Sequence, residues 1–185
     1  MQVITGKFKG RKLSTVPDLS VRPATHRVKS AIFNILQSRV HWSSATVLDL
    51  YAGSGSIGIE ALSRGATHVT FVENDKRVAD FLKKNITKIG ATNECDILLL
   101  SVEQFLERPR QSFDVIFVDP PYALQTLSSL PLTIFQKNLV KDNGYMIMEH
   151  PASTEFPENT FCEIVLQRKY GRTTVSFFQK KSQTT

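Results

Sequence analysis

The chain has 185 residues, 41% of them hydrophobic and 22% charged, so it is long enough for one domain with a sizeable core and too apolar to be largely disordered. No apolar run approaches the roughly 20 residues that cross a bilayer, and the first residues lack a secretory signal, so we expect no membrane association. Two cysteines, Cys95 and Cys162, are too few for a disulfide scaffold or a cysteine-rich zinc site. We expect free thiols in a reducing cytoplasm and no metal.

The net charge of +6 is concentrated at the amino end. Residues 1–39 contain eight basic residues and one acidic residue, 8 − 1 = +7, and the remainder of the chain sums to −1. Such a segment indicates a polyanion partner, although charge alone favours a solvated basic face.

The first 45 residues predict a small extension. Short apolar runs at residues 3–4 and 12–13 flank a basic stretch with Gly6 and Gly10, which predicts a hairpin. A helix is predicted to begin at Thr25, with an apolar face of spacing i, i+3, i+4, i+7 and i+8. Its residues are Val28, Ala31, Ile32, Ile35 and Leu36. We expect this helix to dock on the main body and to leave Arg27 and Lys29 exposed.

Strand-like runs alternate with helical patterns from residue 46 onward. The predicted strands are 46–50, 68–73, 97–100, 113–118 and 145–149, and the predicted helices are 58–64, 76–89, 103–108 and 127–138. Asp75 is the predicted N-cap of the second of these helices, and Gly90 is predicted to end it. This alternation predicts a parallel sheet with helices on both faces. Two further strand-like runs, 160–168 and 173–179, leave no room for a crossover helix and should pair antiparallel. Residues 46–185 therefore form the predicted main domain.

A glycine-rich turn follows the first predicted strand. Gly53, Gly55 and Gly58 match the dinucleotide fingerprint G-x-G-x-x-G, in which glycines allow a tight turn and a helix start offers N–H groups to a ligand. Glu73 ends the next strand, where a carboxylate can accept hydrogen bonds from ribose hydroxyls. The pattern predicts a nucleoside-containing cofactor.

Two features favour S-adenosylmethionine (SAM) over NAD. Asp49 lies just before the turn, where its carboxylate can attract the ammonium of a methionine moiety and would repel a pyrophosphate. The chain also lacks room for the substrate domain of a typical dehydrogenase. An NAD oxidoreductase remains an open alternative at this point.

The fourth predicted strand ends in Asp119-Pro120-Pro121-Tyr122. Prolines fix the backbone and donate no N–H, so their carbonyls are free to accept at the carboxyl edge of the sheet, where open α/β folds bind ligands. The Asp119 carboxylate and the Pro120 carbonyl could grip the two hydrogens of an exocyclic base amine and direct its lone pair at a methyl donor. Tyr122 could stack on the base. This predicts amine methylation by positioning and electrostatics.

These motifs, with Gly6-Lys-Phe-Lys-Gly-Arg-Lys-Leu13 and Arg22-Pro-Ala-Thr-His-Arg-Val-Lys29, resemble the bacterial 16S rRNA guanine-N2 methyltransferase family of the RsmD type. The resemblance covers nearly the whole chain and includes Tyr170-Gly171-x-Thr173. It implies a Rossmann-like class I SAM-dependent methyltransferase with a seven-stranded, mostly parallel sheet, an antiparallel C-terminal strand and the N-terminal extension. It also implies transfer to N2 of a guanine in small-subunit rRNA.

The resemblance assigns residues to three sites. The target-amine site is Asp119, Pro120 and Tyr122. The SAM site is Asp49, Ala52, Gly53, Ser54, Gly55, Glu73, Asn74, Ser101, Val102 and Asp119. The RNA-binding residues are Lys7, Lys9, Arg11, Lys12, Arg22, Thr25, Arg27 and Lys29. The expected partner is 16S rRNA or the small ribosomal subunit as an assembly intermediate. The enzyme itself is expected to be a monomer in the cytoplasm.

The sequence departs from the family pattern at His26 and Ser30, where the family usually has acidic residues. Three alternatives remain open: DNA adenine or cytosine amino-methylation, NAD-dependent redox chemistry, and a non-catalytic RNA-binding module that retains SAM. The sequence leaves undecided the nucleotide that is modified and the choice between naked rRNA and an assembled particle.

Overall fold

Seven strands build one sheet in the computed structural model, which describes residues 1–16 and 24–181. The strands are β1 (Thr46–Leu50), β2 (His68–Glu73), β3 (Cys95–Leu99), β4 (Phe113–Val118), β5 (Val140–Pro151), β6 (Cys162–Tyr170) and β7 (Thr173–Lys180). The helices are α1 (Ala24–Leu36), α2 (Ser56–Ser63), α3 (Lys76–Ile89), α4 (Val102–Glu107) and α5 (Leu130–Gln136). No helix within the described ranges is long and apolar enough to span a membrane.

The strand order is β3-β2-β1-β4-β5-β7-β6. Strands β1 to β5 pair parallel, and β7 is inserted antiparallel between β5 and β6. This confirms the predicted fold class. The chain runs outward from β1 to β3 and then returns to β4 on the other side of β1, so the carboxyl ends of β1 and β4 flank the crevice in which such sheets bind ligands.

Two apolar layers cover the sheet because side chains alternate along each strand. Val47, Phe71 and Phe117 face α1, α2 and α3, whereas Leu48 and Ile116 face α4 and α5. Since parallel strands are buried on both sides, β1 and β4 are mostly apolar in sequence, and this composition predicts them as strands.

Helix α3 begins and ends where its capping residues predict. The Asp75 side chain accepts hydrogen bonds from the N–H groups of Arg77 and Val78, and Gly90 ends the helix in the left-handed conformation. The other predicted ends differ by a few residues. The largest shift is in β5, which starts at Val140 because Val140 already pairs with Phe113 ahead of a register shift.

The N-terminal extension packs into the same core as the sheet. Gln2 and Lys12 form an antiparallel bridge, and the N–H of Val3 donates to the Arg11 carbonyl at 3.0 Å. The predicted hairpin is therefore present in a short form. Val3 is buried with α1 against α2, in a cluster that reaches Phe117 on β4.

Helix α1 docks on the main body as predicted, but the expected exposure of Lys29 is wrong. Arg27 is exposed, whereas Lys29 is only 2% exposed. Its Nζ donates to Oγ of Ser56 at 2.9 Å and lies 3.9 Å from a carboxylate oxygen of Glu60. Burial lowers the Lys29 pKa, and Glu60 opposes that shift. The apolar periodicity of α1 predicts that Lys29 lies on the polar face of the helix. Its long side chain instead extends to α2, and from this buried position it cannot reach an RNA phosphate.

Gly58 sets the distance between α2 and the sheet, because a Cβ there would lie 2.3 Å from a ring carbon of Phe71 and 2.9 Å from Val69. Although alanine favours a helix, we expect Gly58→Ala to lower the free energy of unfolding by about 1–3 kcal/mol through overpacking. Urea denaturation of the wild type and the variant measures this difference in the free energy of unfolding. In a Phe71→Leu background the loss should shrink, and an unchanged loss would show that ring overlap is not its cause.

Candidate active site

The loop between β1 and α2 is held in an unusual conformation. Tyr51, Gly53 and Gly55 all have positive φ angles, of 59°, 57° and 77°. An added Cβ at Gly55 would lie 2.2 Å from a methyl group of Leu82, so that position requires glycine. At Gly53 the nearest atom to an added Cβ is 3.9 Å away, which leaves the loop open to a ligand on that side. The loop is therefore a backbone cradle with one accessible rim.

Glu73 completes the rim of this loop from the end of β2. One carboxylate oxygen accepts the N–H of Gly53 at 2.9 Å, and the other accepts the N–H of Asp75 at the same distance. A carboxylate offers about four lone-pair positions, so these two bonds leave capacity for the two hydroxyls of a ribose.

Asp49 lies beneath the loop and is almost fully buried, with 2% exposure. Its Oδ2 accepts the N–H of Gly58 at 2.9 Å. Burial raises the pKa of Asp49 to about 8 in spite of that hydrogen bond, and the charges of Asp119 and Glu73 raise it further. Two further carboxyl groups thus act on Asp49 at this edge. Such a site attracts cations and repels a pyrophosphate, which favours SAM over NAD.

Asp119 and Pro120 reach the same edge from β4. Leu50 on β1 pairs with Val118 on β4, so Asp119 follows beside the start of the cradle. Asp119 is exposed and Pro120 is buried. Because Val118 pairs with the last residue of β1, the next residue, Asp119, lies at the edge where the cradle begins, and its charge raises the pKa of Asp49. The predicted target-amine residues and the cofactor loop are therefore brought together.

Tyr122 is anchored by its hydroxyl group. The hydroxyl donates to a carboxylate oxygen of Glu149 on β5 at 3.2 Å and is hydrogen-bonded to Oγ1 of Thr173 on β7. These contacts hold the hydroxyl end of Tyr122 against β5 and β7 at the carboxyl edge of the sheet. Sequence reasoning missed Glu149 and Thr173, because they come from strands that are distant along the chain.

The remaining predicted cofactor residues lie at the same edge. The Ser101 hydroxyl accepts the N–H of Gln104 and caps α4, Val102 is buried behind it, and Asn74 is exposed after β2. Ala52 donates its N–H to the Val72 carbonyl at 3.0 Å and so joins the loop to β2.

Asn85 on α3 is a further site residue that sequence reasoning missed. It is 1% exposed, and its amide donates to the carbonyls of Ser54, at 3.0 Å, and Ser14, at 2.9 Å. It therefore joins the cradle to the N-terminal extension. A polar residue on the apolar face of α3, between Leu82 and Ile86, was the signal that could have revealed it.

The predicted RNA-binding residues do not form one surface. Lys7 pairs with Glu94, which precedes β3, and its N–H donates to the carbonyl of Ser63 at the end of α2. Both partners lie at the amino edge of the strands, so Lys7 is about one strand length, roughly 17–20 Å, from the cradle. Lys9, Arg11 and Lys12 are exposed. Arg22 and the side chain of Thr25 lie outside the described residues.

At the start of α1 the two departures from the family pattern contact each other. Ser30 is partly exposed, and its hydroxyl donates to the backbone carbonyl of His26 at 2.9 Å; the His26 side chain is exposed. A hydroxyl bonded to the preceding turn needs no carboxylate partner.

Comparison with known proteins gives consistent results. Residues 1–179 match the family described as Conserved hypothetical protein 95. The chain is 37% identical to "Putative rRNA methyltransferase YlbH" of Bacillus subtilis, over 98% of this chain and all of that protein. It is 38% identical to "Ribosomal RNA small subunit methyltransferase D" of Haemophilus influenzae, over 80% of this chain and 78% of that one. A solved structure, "Putative methyltransferase yhhF from Escherichia coli", superposes with a TM-score of 0.86 at 28% identity over 99% of both chains.

The raised pKa of Asp49 makes stability depend on pH. Between pH 3.8 and about 8 the folded protein holds a proton that the unfolded chain has released, so rising pH removes stability in that window. We expect the wild-type protein to lose stability relative to Asp49→Asn as pH rises, by up to about 1.4 kcal/mol per pH unit. Chemical denaturation of both proteins at pH 5, 6 and 7 measures the difference. Parallel pH profiles would contradict a protonated Asp49.

Proposed function

Since the chain belongs to the Conserved hypothetical protein 95 family, we propose that it transfers the methyl group of SAM to the exocyclic N2 of a guanine in small-subunit 16S rRNA, giving N2-methylguanosine. The observation that carries the proposal is the position of Asp119-Pro120 at the end of β4, beside the cradle that follows β1. The charge of Asp119 also acts on Asp49. The relatives named as small-subunit rRNA methyltransferases support the substrate.

The residues present fit SAM. The open rim at Gly53 accepts the ligand without a Cβ clash, and the free lone pairs of Glu73 suit a ribose. Asp49 would hold the ammonium of the methionine end, and its charged form would be favoured by that contact. When bound, SAM supplies a methyl group that carries the electrophilic character of its sulfonium.

The chain contributes position and electrostatics to the transfer. The Asp119 carboxylate and the Pro120 carbonyl each accept one hydrogen of the target amine, so the nitrogen is held pyramidal with its lone pair directed away from the ring. Because Asp119 is exposed, the proton released on methylation passes from this carboxylate to water. Tyr122, fixed by Glu149 and Thr173, stacks on the base.

The base must leave its stack to reach this pocket. Guanine N2 within a duplex is not open to in-line attack, so the target nucleotide is unpaired or flipped out. Exposed cations, Lys9, Arg11, Lys12 and Arg27 among them, contact phosphates and set the register, while the pocket reads the base.

We further propose that the enzyme acts as a monomer in the cytoplasm on an assembling small subunit. The free thiols of Cys95 and Cys162 suit a reducing compartment. The proposed division at residue 45 separates an RNA-facing extension from the SAM domain, although both share one apolar cluster.

Tritiated SAM and unmodified small ribosomal subunits, followed by nucleoside analysis, test this function. Label in N2-methylguanosine supports it. Naked 16S rRNA in a parallel reaction distinguishes free RNA from an assembled particle. If a parallel reaction with DNA instead labels the amino group of adenine or cytosine, the enzyme is a DNA methyltransferase and the rRNA proposal is wrong. If NADH raises the melting temperature and SAM does not, the redox alternative replaces the proposal.

Substitutions at the target-amine site should separate chemistry from SAM binding. We expect Asp119→Asn to lower kcat on the order of 10²–10³-fold, because one acceptor for the amine is lost. Tyr122→Phe keeps the ring and loses the bonds to Glu149 and Thr173, so a fall of about 10-fold is expected from misplacement. For each variant, single-turnover kinetics measure the rate of methyl transfer and calorimetry measures the affinity for SAM. A large loss of SAM affinity in both variants would contradict the assignment.

A further inference from the structure

The turn between β6 and β7 lies at the same sheet edge as the target-amine site. Pro151, the last residue of β5, pairs with Thr173, the first residue of β7, and Thr173 also pairs with Tyr170 at the end of β6. The hydrogen bond between Thr173 and Tyr122 joins this turn directly to the residue that receives the base. The turn is therefore fixed beside the site, one side chain away from Tyr122.

Three exposed cations surround this turn. Arg168 and Lys169 are the last basic residues of β6, and Arg172 follows Gly171 in the turn itself. Among the described residues none of the three has a carboxylate partner; the only side-chain bond of Arg168 is to the carbonyl of Gln167. Because side chains alternate along a strand, Arg168 and Lys169 extend on opposite faces of the sheet edge.

The charge of the pocket explains why cations are needed here. Glu73, Asp119 and Glu149 make the pocket acidic, which suits a cationic methyl donor but repels the phosphates of an RNA substrate. Of the N-terminal cations, Lys29 is buried, and Lys7 is paired with Glu94 at the opposite edge. Neither can offset the acidic pocket. The cations of the turn lie at its rim.

We propose that Arg168, Lys169 and Arg172, here called the β6–β7 arm, bind the phosphates that flank the target nucleotide. The inference rests on the proposed function, since it names how the same site holds its RNA. The arm is rigid, because β6 and β7 pair along eight register positions and Gly171 allows the tight turn with a φ of 65°. Rigid cations beside Tyr122 fix the backbone on either side of the extruded base while Tyr122 and Asp119 engage the base itself.

The test removes the three charges of the arm at once and compares this variant with one that loses three positive charges elsewhere on the surface. The variant is R168Q/K169Q/R172Q. The matched control is K83Q/K84Q/K137Q, which removes three exposed lysines of α3 and the end of α5; within residues 1–16 and 24–181 none of them pairs with a carboxylate, and Lys84 lies over the ring of Phe81. Methyl transfer from SAM to unmodified small subunits is measured at several salt concentrations, together with SAM affinity by calorimetry and thermal melting.

We expect the arm variant to raise the KM for the RNA substrate about 10- to 100-fold at moderate salt, and to reduce the slope of log KM against log salt by about 2–3. SAM affinity, melting temperature and kcat at saturating RNA should stay near wild type. The control should keep the wild-type slope. A variant that keeps the charge, R168K/R172K, should retain most of the salt dependence.

The outcomes separate the two proposals. If the wild type labels no RNA, the proposed function fails and the arm fails with it. If the wild type labels RNA and the arm variant has the wild-type KM and slope, the arm alone is wrong. Equal losses in the arm variant and the control would indicate general attraction by net charge and would also overturn the arm.

Discussion

A buried carboxylate at the end of β1 is the interaction on which the rest of the site depends. Asp49 accepts the N–H of Gly58 and so ties the central strand to the first turn of α2. The charges of Glu73 and Asp119 make this pocket negative, and they raise the pKa of Asp49 beyond the effect of its burial. A pocket of this kind selects a cationic ligand. The hydrogen bond therefore links the strand–turn–helix geometry to the choice of cofactor.

The N-terminal extension supports that geometry as well as carrying positive charge. Glu60 is fully buried on α2 and accepts the N–H groups of Ile4 and Thr5, and Lys29 donates to Ser56 at the start of the same helix. Asn85 joins Ser14 to the cradle. Buried polar groups are stable only when they are paired, so the extension, α2 and the cradle are held as one unit.

The antiparallel strand β7 connects the target-amine site to the end of the chain. A sheet with β5 as its edge would leave Tyr122 without the hydroxyl of Thr173, and Glu149 would lack a neighbour in the next strand. Inserting β7 brings both contacts, and the end of β6 together with the turn after it places Arg168, Lys169 and Arg172 at this edge. This edge of the sheet thus combines an acidic interior with a basic rim.

The sequence by itself determined the strand–helix alternation, the caps Asp75 and Gly90, the cradle glycines and the Asp-Pro-Pro-Tyr segment, because each depends on local backbone chemistry or on apolar periodicity. Only the tertiary structure decided that Lys29 is buried, that Lys7 lies at the far edge, and that Asn85, Glu149 and Thr173 serve the site. These outcomes depend on which distant segments meet, and a long polar side chain on a helix reads the same in sequence whether it faces water or a buried partner.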